Sequence, residues 1–137
     1  MTAKTAFTAA RSGVYRTPLH AEGLRERAMA AQLDWFEADL AAATTKTKLL
    51  GVLAAAGGFP AGFGHNWDAL ADALGDLSWR PAAGYVLRLS SAPQTQRDLG
   101  ADWDTLLDVL RAAAEEWKAR GKLFVVLIDE AALPAWA

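Results

Sequence analysis

Apolar residues run without a break through "LFVVLI", residues 123–128, as they do in a strand that a parallel sheet buries on both faces. "GYVLRLSS", 84–91, reads as a second strand, "LDWFEAD", 33–39, as a third, and "SGVYR", 12–16, as a short fourth. Helical spacing is clearest over 102–121, where Trp103, Leu106, Leu107, Leu110, Ala113, Ala114 and Trp117 recur on one face. Asp102 is placed to cap that helix, Asp104 suits its positive end, Lys118 and Arg120 suit its negative end, and Gly121 stops it. Further helices are expected over 21–32 and over 46–57, the latter capped by Thr44 or Thr45 and closed by Gly57 and Gly58. "SSAPQTQRD", 90–98, reads as an extended polar loop.

Strands alternating with helices define the fold class as α/β, with a small, mainly parallel sheet of three or four strands covered by helices. Residues 85–89 and 123–128 are expected to be neighbouring parallel strands, joined by a right-handed crossover, with Leu106, Leu110 and Trp117 packed on the sheet. At 137 residues the chain reads as one domain, residues 1–32 being a possible N-terminal strand–helix extension.

The stretch "FPAGFGHNWDALADALGDLSW", 59–79, spaces Asp68, Asp72 and Asp76 one helical turn apart. Pro60 and the glycines around it predict a tight irregular loop, after which Asn66 caps a helix that starts at Trp67. At about 100° per residue, Trp67, Leu70, Ala71, Leu74 and Leu77 fall on one face and the three aspartates on nearly the opposite one. Like charges at i and i+4 cost an isolated helix roughly 0.2–0.5 kcal/mol per pair, so the row is either tolerated or favoured by something outside the helix. Periodicity alone supports the plain reading first. Outward acids keep a protein soluble, and Asp68 gains from the helix dipole whatever its function. Phe63 and Trp67 are by the same standard core residues, Asn66 a cap and His65 a loop residue.

Composition narrows the classes. Hydrophobic residues make up 53% and charged residues 22%, enough for a proper core. There is no cysteine, so disulfides and thiolate metal sites are excluded. His20 and His65 are the only histidines and neither has a ligand at metal-binding spacing, so no metal or cofactor is expected. The start of the chain has no secretory h-region, and no apolar run approaches the roughly 20 residues of a membrane span. A soluble cytoplasmic protein is the expectation. Residues 1–32 carry five basic and two acidic side chains; residues 33–137 carry nine and fourteen, a balance of −5. Direct nucleic-acid binding, which needs clustered Lys and Arg, is not expected, whereas a basic protein partner suits this balance. Enzyme signatures are missing: there is no G-x-S-x-G elbow, no P-loop and no G-x-G-x-x-G after a strand. Asp68 and Asp72 on a convex helix lack the cleft that a paired-carboxylate hydrolase requires.

"FPAGFGHNWDALADALGDLSW" resembles the signature of the barstar family, small bacterial proteins that inhibit barnase-type ribonucleases, and the order of elements over roughly 33–130 is similar to that family's. The resemblance implies a non-enzymatic inhibitor that plugs the active site of one basic ribonuclease with its acidic helix and the preceding loop, or else an immunity module of the same shape with another target. It implies partner contacts at Gly62, Phe63, His65, Asp68, Ala71, Asp72, Asp76 and Trp79, with Asp72 matching the position that enters the catalytic centre. Carboxylates can stand in for RNA phosphates there, because Arg pairs with both bidentately. Gly62 and Ala71 depart from the pattern: the family commonly has an aromatic contact at the first, and some members a Trp at the second.

Overall fold

The structure, a computed structural model, describes residues 7–136. Its one sheet has four strands, β1 (Gly13–Arg16), β2 (Leu33–Asp39), β3 (Gly84–Ser90) and β4 (Leu123–Ile128), in the order β1-β4-β3-β2 and all parallel. β3 and β4 are neighbours in the register Tyr85↔Phe124 and Leu87↔Val126, and β2 lies beside β3 with Trp35↔Val86. Among the described residues five α-helices accompany them: α1 (Ala21–Ala30), α2 (Lys46–Gly57), α3 (Trp67–Asp76), α4 (Ala92–Leu99) and α5 (Ala101–Ala119).

Because side chains alternate across a strand, the sheet builds two cores. Phe36, Ala38, Tyr85, Leu87, Leu89, Phe124, Val126 and Ile128 meet Leu49, Leu50 and Leu53 of α2, Leu70 and Leu74 of α3, and Leu106, Leu110 and Trp117 of α5. On the opposite face Leu33, Trp35, Val86, Leu123, Val125 and Leu127 pack with Leu24 and Ala28 of α1. β4 is buried at all six positions, as its unbroken apolar run requires.

Three local expectations are corrected. The polar stretch 90–98 is not an extended loop: α4 forms there, with proline in its first turn. The amide of Ser91, just before it, and its first amide, Ala92 N, donate to the Asp129 carboxylate at 3.0 and 2.9 Å, and the buried Thr95 hydroxyl donates to Leu40 O at 2.8 Å. The cap is thus supplied from beyond β4, where local pattern cannot show it. Asp102 does not cap α5, which begins one residue earlier after Gly100; Asp102 and Asp104 both lie in its first turn. Ala71 does not share the buried face of α3. It is exposed, at the margin of the apolar stripe, where its single methyl does not reach the core.

Candidate functional site

α2 closes through a left-handed Gly58 (φ 61°), with Phe59 N donating back to Ala54 O at 2.9 Å, a Schellman-type end. Gly57 has no side chain for a reason of space. A Cβ there would stand 2.5 Å from the Phe59 ring. The ring folds back instead, edge-on to Phe63 (centroids 5.1 Å apart) and to Trp79 (5.8 Å). The chain then passes Gly62 at φ 92°, a conformation that favours glycine, and a Cβ at that position would meet nothing within 4 Å. His65, at φ 48°, tilts against Phe63 and has Nδ1 3.0 Å from Phe63 O.

Asn66 then starts α3: its Oδ1 accepts from Ala69 N at 2.8 Å while its Nδ2 donates to Gly64 O at 3.2 Å, fixing loop and helix together. At the other end, α5 satisfies carbonyls that a helix leaves without partners. Trp117 Nε1 donates to Leu74 O at 2.7 Å, and Arg120 Nη2 donates to Gly75 O at 2.7 Å, a cation at the negative end of the dipole.

Trp79 is pinned by its neighbours. Its Nε1 donates to Gly57 O at 2.9 Å. Arg80 next to it grips Asp34 through Nε and Nη2 (2.5 and 2.9 Å), and that hydrogen-bonded carboxylate raises the arginine pKa. Tyr85 donates its hydroxyl to Arg80 O at 2.7 Å; burial, then the Asp34 charge, push its pKa up, so the phenol stays protonated and holds the bond.

On this frame Asp68, Asp72 and Asp76 are exposed. Among the described residues none of the three takes part in an ion pair, whereas Asp34, Glu22, Glu37 and Glu116 all do. Gly62 and His65 are exposed with them, and Phe63 and Trp79 are half-buried. Asp72 and Asp76 stand between two hollows. One, of about 300 Å³, is lined by Phe59, Phe63, Ala69, Ala73 and Trp79 with the loop backbone, and by Asp72 and Asp76. The other is lined by Ala71, Gly75, Glu116 and again Asp72 and Asp76. Asp68 lines neither.

Two residues escape the sequence reading. Phe59 provides the centre of the aromatic floor. Glu116 comes from α5, its carboxylate 2.9 Å from where a Cβ on Gly75 would stand. Its i, i+4 pairing with Arg120 is visible in the sequence, but the packing of α5 on α3 is not.

The fold and this surface define a class: a small parallel α/β protein that presents an acidic helix and a glycine-rich loop side by side on one face. The chain belongs to the barstar family, barnase inhibitors, whose family model matches residues 33–129. Compared with individual curated proteins, the chain matches none. Among the described residues no helix is long and apolar enough to cross a membrane.

Proposed function

We propose that this protein is an intracellular inhibitor that docks α3 and the loop 59–66 into the active site of a barnase-type ribonuclease, one to one, and blocks access of RNA. One observation carries the reading: three exposed carboxylates stand in line on a rigidly capped helix, unpaired by any cation among the described residues. A ribonuclease active site gathers Arg, Lys and His to hold phosphates, and carboxylates satisfy the same donors through charge-assisted bonds. The like-charge repulsion within α3 is relieved when those donors arrive. No chemistry is asked of the protein, and its own acidic surface does not attract RNA.

Gly62 and Ala71 favour a second reading, an immunity module of the same shape for a target that is not a ribonuclease. Both positions are exposed and lack the aromatic anchors that commonly dominate interface energetics. Titrating the purified protein into a barnase-type ribonuclease while following RNA hydrolysis separates the two. Activity should fall linearly to zero at equimolar inhibitor. Undiminished hydrolysis at a large molar excess would leave only the second reading.

A further inference from the structure

The sheet ends differently on its two sides. At β1 the chain closes the edge itself: Arg16 N donates to Pro134 O at 2.7 Å, Arg16 bridges to Ala135, and Arg16 Nη1 donates to Ala131 O at 3.2 Å. The segment after β4 thus lies along β1. At the other end of the order, β2 pairs with β3 alone among the described residues. Just past β2, Leu40 N donates to Ser90 O at 2.9 Å. Because successive amides of a strand point to opposite sides, Asp34, Phe36 and Ala38 turn their N–H and C=O to β3. Leu33, Trp35, Glu37 and Asp39 turn theirs outward, where among the described residues these backbone groups bond to nothing. Such a row is a template for another strand, and proteins commonly guard it with bare charge. Here the acids of the strand are already engaged within the chain. Arg80 grips Asp34, Glu37 accepts from Trp35 Nε1 at 2.7 Å and lies 3.9 Å from Arg88 Nη1, and Asp39 Oδ1 accepts from Ala41 N at 3.0 Å.

We propose that β2 pairs with β2 of a second copy of this chain, antiparallel about a two-fold axis at Phe36, so that two sheets become one. The register follows from the residues. A symmetric pairing that uses every outward group sets Leu33 opposite Asp39 of the second copy and Trp35 opposite its Glu37, each pair exchanging both its bonds. On the other face of the sheet Asp34 then stands opposite Ala38. No acid is set directly against an acid, the arrangement that destabilises a cross-strand pair. Sliding the copy to the next allowed register sets Glu37 against Glu37 in one direction and Trp35 against Trp35 in the other, and either way an end of the strand loses its partner. The contact is isologous, so it closes at a dimer. A basic extended segment of another protein fits less well, because Asp34 and Glu37 already have arginines beside them. None of the α3 aspartates takes part, and the pairing is independent of what the acidic face binds.

Sedimentation of the intact protein from micromolar to millimolar concentration should show a reversible passage from monomer to dimer. Hydrogen exchange followed by NMR over the same range reads the register. The amides of Trp35, Glu37 and Asp39 should slow by about tenfold once paired chains outnumber free ones by that factor. Those of Phe36 and Ala38, already bonded to β3, should keep their rates. Glu37→Pro removes one outward donor and none from the β3 ladder, a place where an edge strand tolerates proline. That variant should stay monomeric at every concentration while the spectrum away from β2 holds. The alternating exchange needs no variant, so it decides the matter even where the proline disturbs the fold. A native chain that remains monomeric at millimolar concentration would overturn the proposal, as would a dimer in which neighbouring amides of β2 behave alike. Alternation that appears only when a lysine-rich peptide is added to the monomer would overturn it too, and would give the edge to a basic strand.

Discussion

Asp72 sits mid-helix, too far from either end for a cap or a dipole to need its charge, and it makes no ion pair among the described residues. Asp72→Ala should therefore leave the free protein as stable as before, or slightly more so, since alanine is the better helix former and the change removes repulsion from both Asp68 and Asp76. In the proposed complex the same change should leave basic groups of the ribonuclease buried and unpaired, a loss of about 2–5 kcal/mol, hence roughly 30-fold or more in affinity. Calorimetric melting and a binding titration of this variant measure the two effects separately. Unchanged affinity would return the aspartate row to a solvated face. A large loss of stability would contradict the exposed position. At this scale the sequence was informative because the row needs only helical periodicity, and Asn66 announces where that periodicity starts. The rings were less legible. Phe59 and Trp79 are twenty residues apart, and only the fold shows that their rings meet edge-on, with centroids 5.8 Å apart and Trp79 Nε1 tied to Gly57 O.

Elements whose signals lie within a few residues were readable: α2, α3, β3 and β4 all follow from local spacing and caps. α4 was not, because what holds it is distant in the chain. The amides of Ser91 and Ala92 at its start bond to Asp129, 38 and 37 residues on, and Thr95 reaches Leu40, 55 residues back. Read alone, "SSAPQTQRD" has turn-forming residues and little apolar periodicity, so a loop is the natural expectation. Removing the distant cap tests this account. Asp129→Ala should cost about 0.5–2 kcal/mol, the range for losing an N-cap, seen as a melting temperature a few degrees lower. Hydrogen exchange should quicken over the amides of residues 94–99 and not over α3. Exchange unchanged in α4 would mean that Thr95 and the packing of Ala92 hold the helix without the carboxylate. The same kind of distant tie holds α3, whose Leu74 O and Gly75 O accept from Trp117 and Arg120 of α5.

Over the whole molecule charge and core are divided differently along the chain. The acidic balance belongs to residues 33–137, so a basic partner should be drawn to the α3 face, and ions should screen that attraction. Between 0.01 and 0.1 M salt the Debye length falls from about 30 to about 10 Å. The association rate, followed by stopped-flow fluorescence of the complex, should drop across that interval; a flat profile would mean the ridge does not steer docking. The core ignores this division. The matched family segment begins at Leu33, yet the sheet face carrying Leu33, Trp35, Val86, Leu123, Val125 and Leu127 is covered by Leu24 and Ala28 of α1, and β1 pairs along β4 from Gly13↔Val125 to Arg16↔Ile128. Five of those six residues are aliphatic, and full burial of each is worth roughly 1.5–3 kcal/mol. Their sum rivals the ~5–15 kcal/mol net stability of a whole domain. A fragment of residues 33–137 keeps every residue of the acidic ridge and both hollows, but it should fail to hold them in place. We expect it to melt without a sharp transition, to bind a hydrophobic dye, and to leave a ribonuclease uninhibited at concentrations where the full chain is stoichiometric. A fragment that melts sharply and inhibits fully would show that the second face finds other cover, and that the first strand and helix serve something other than the fold of this domain.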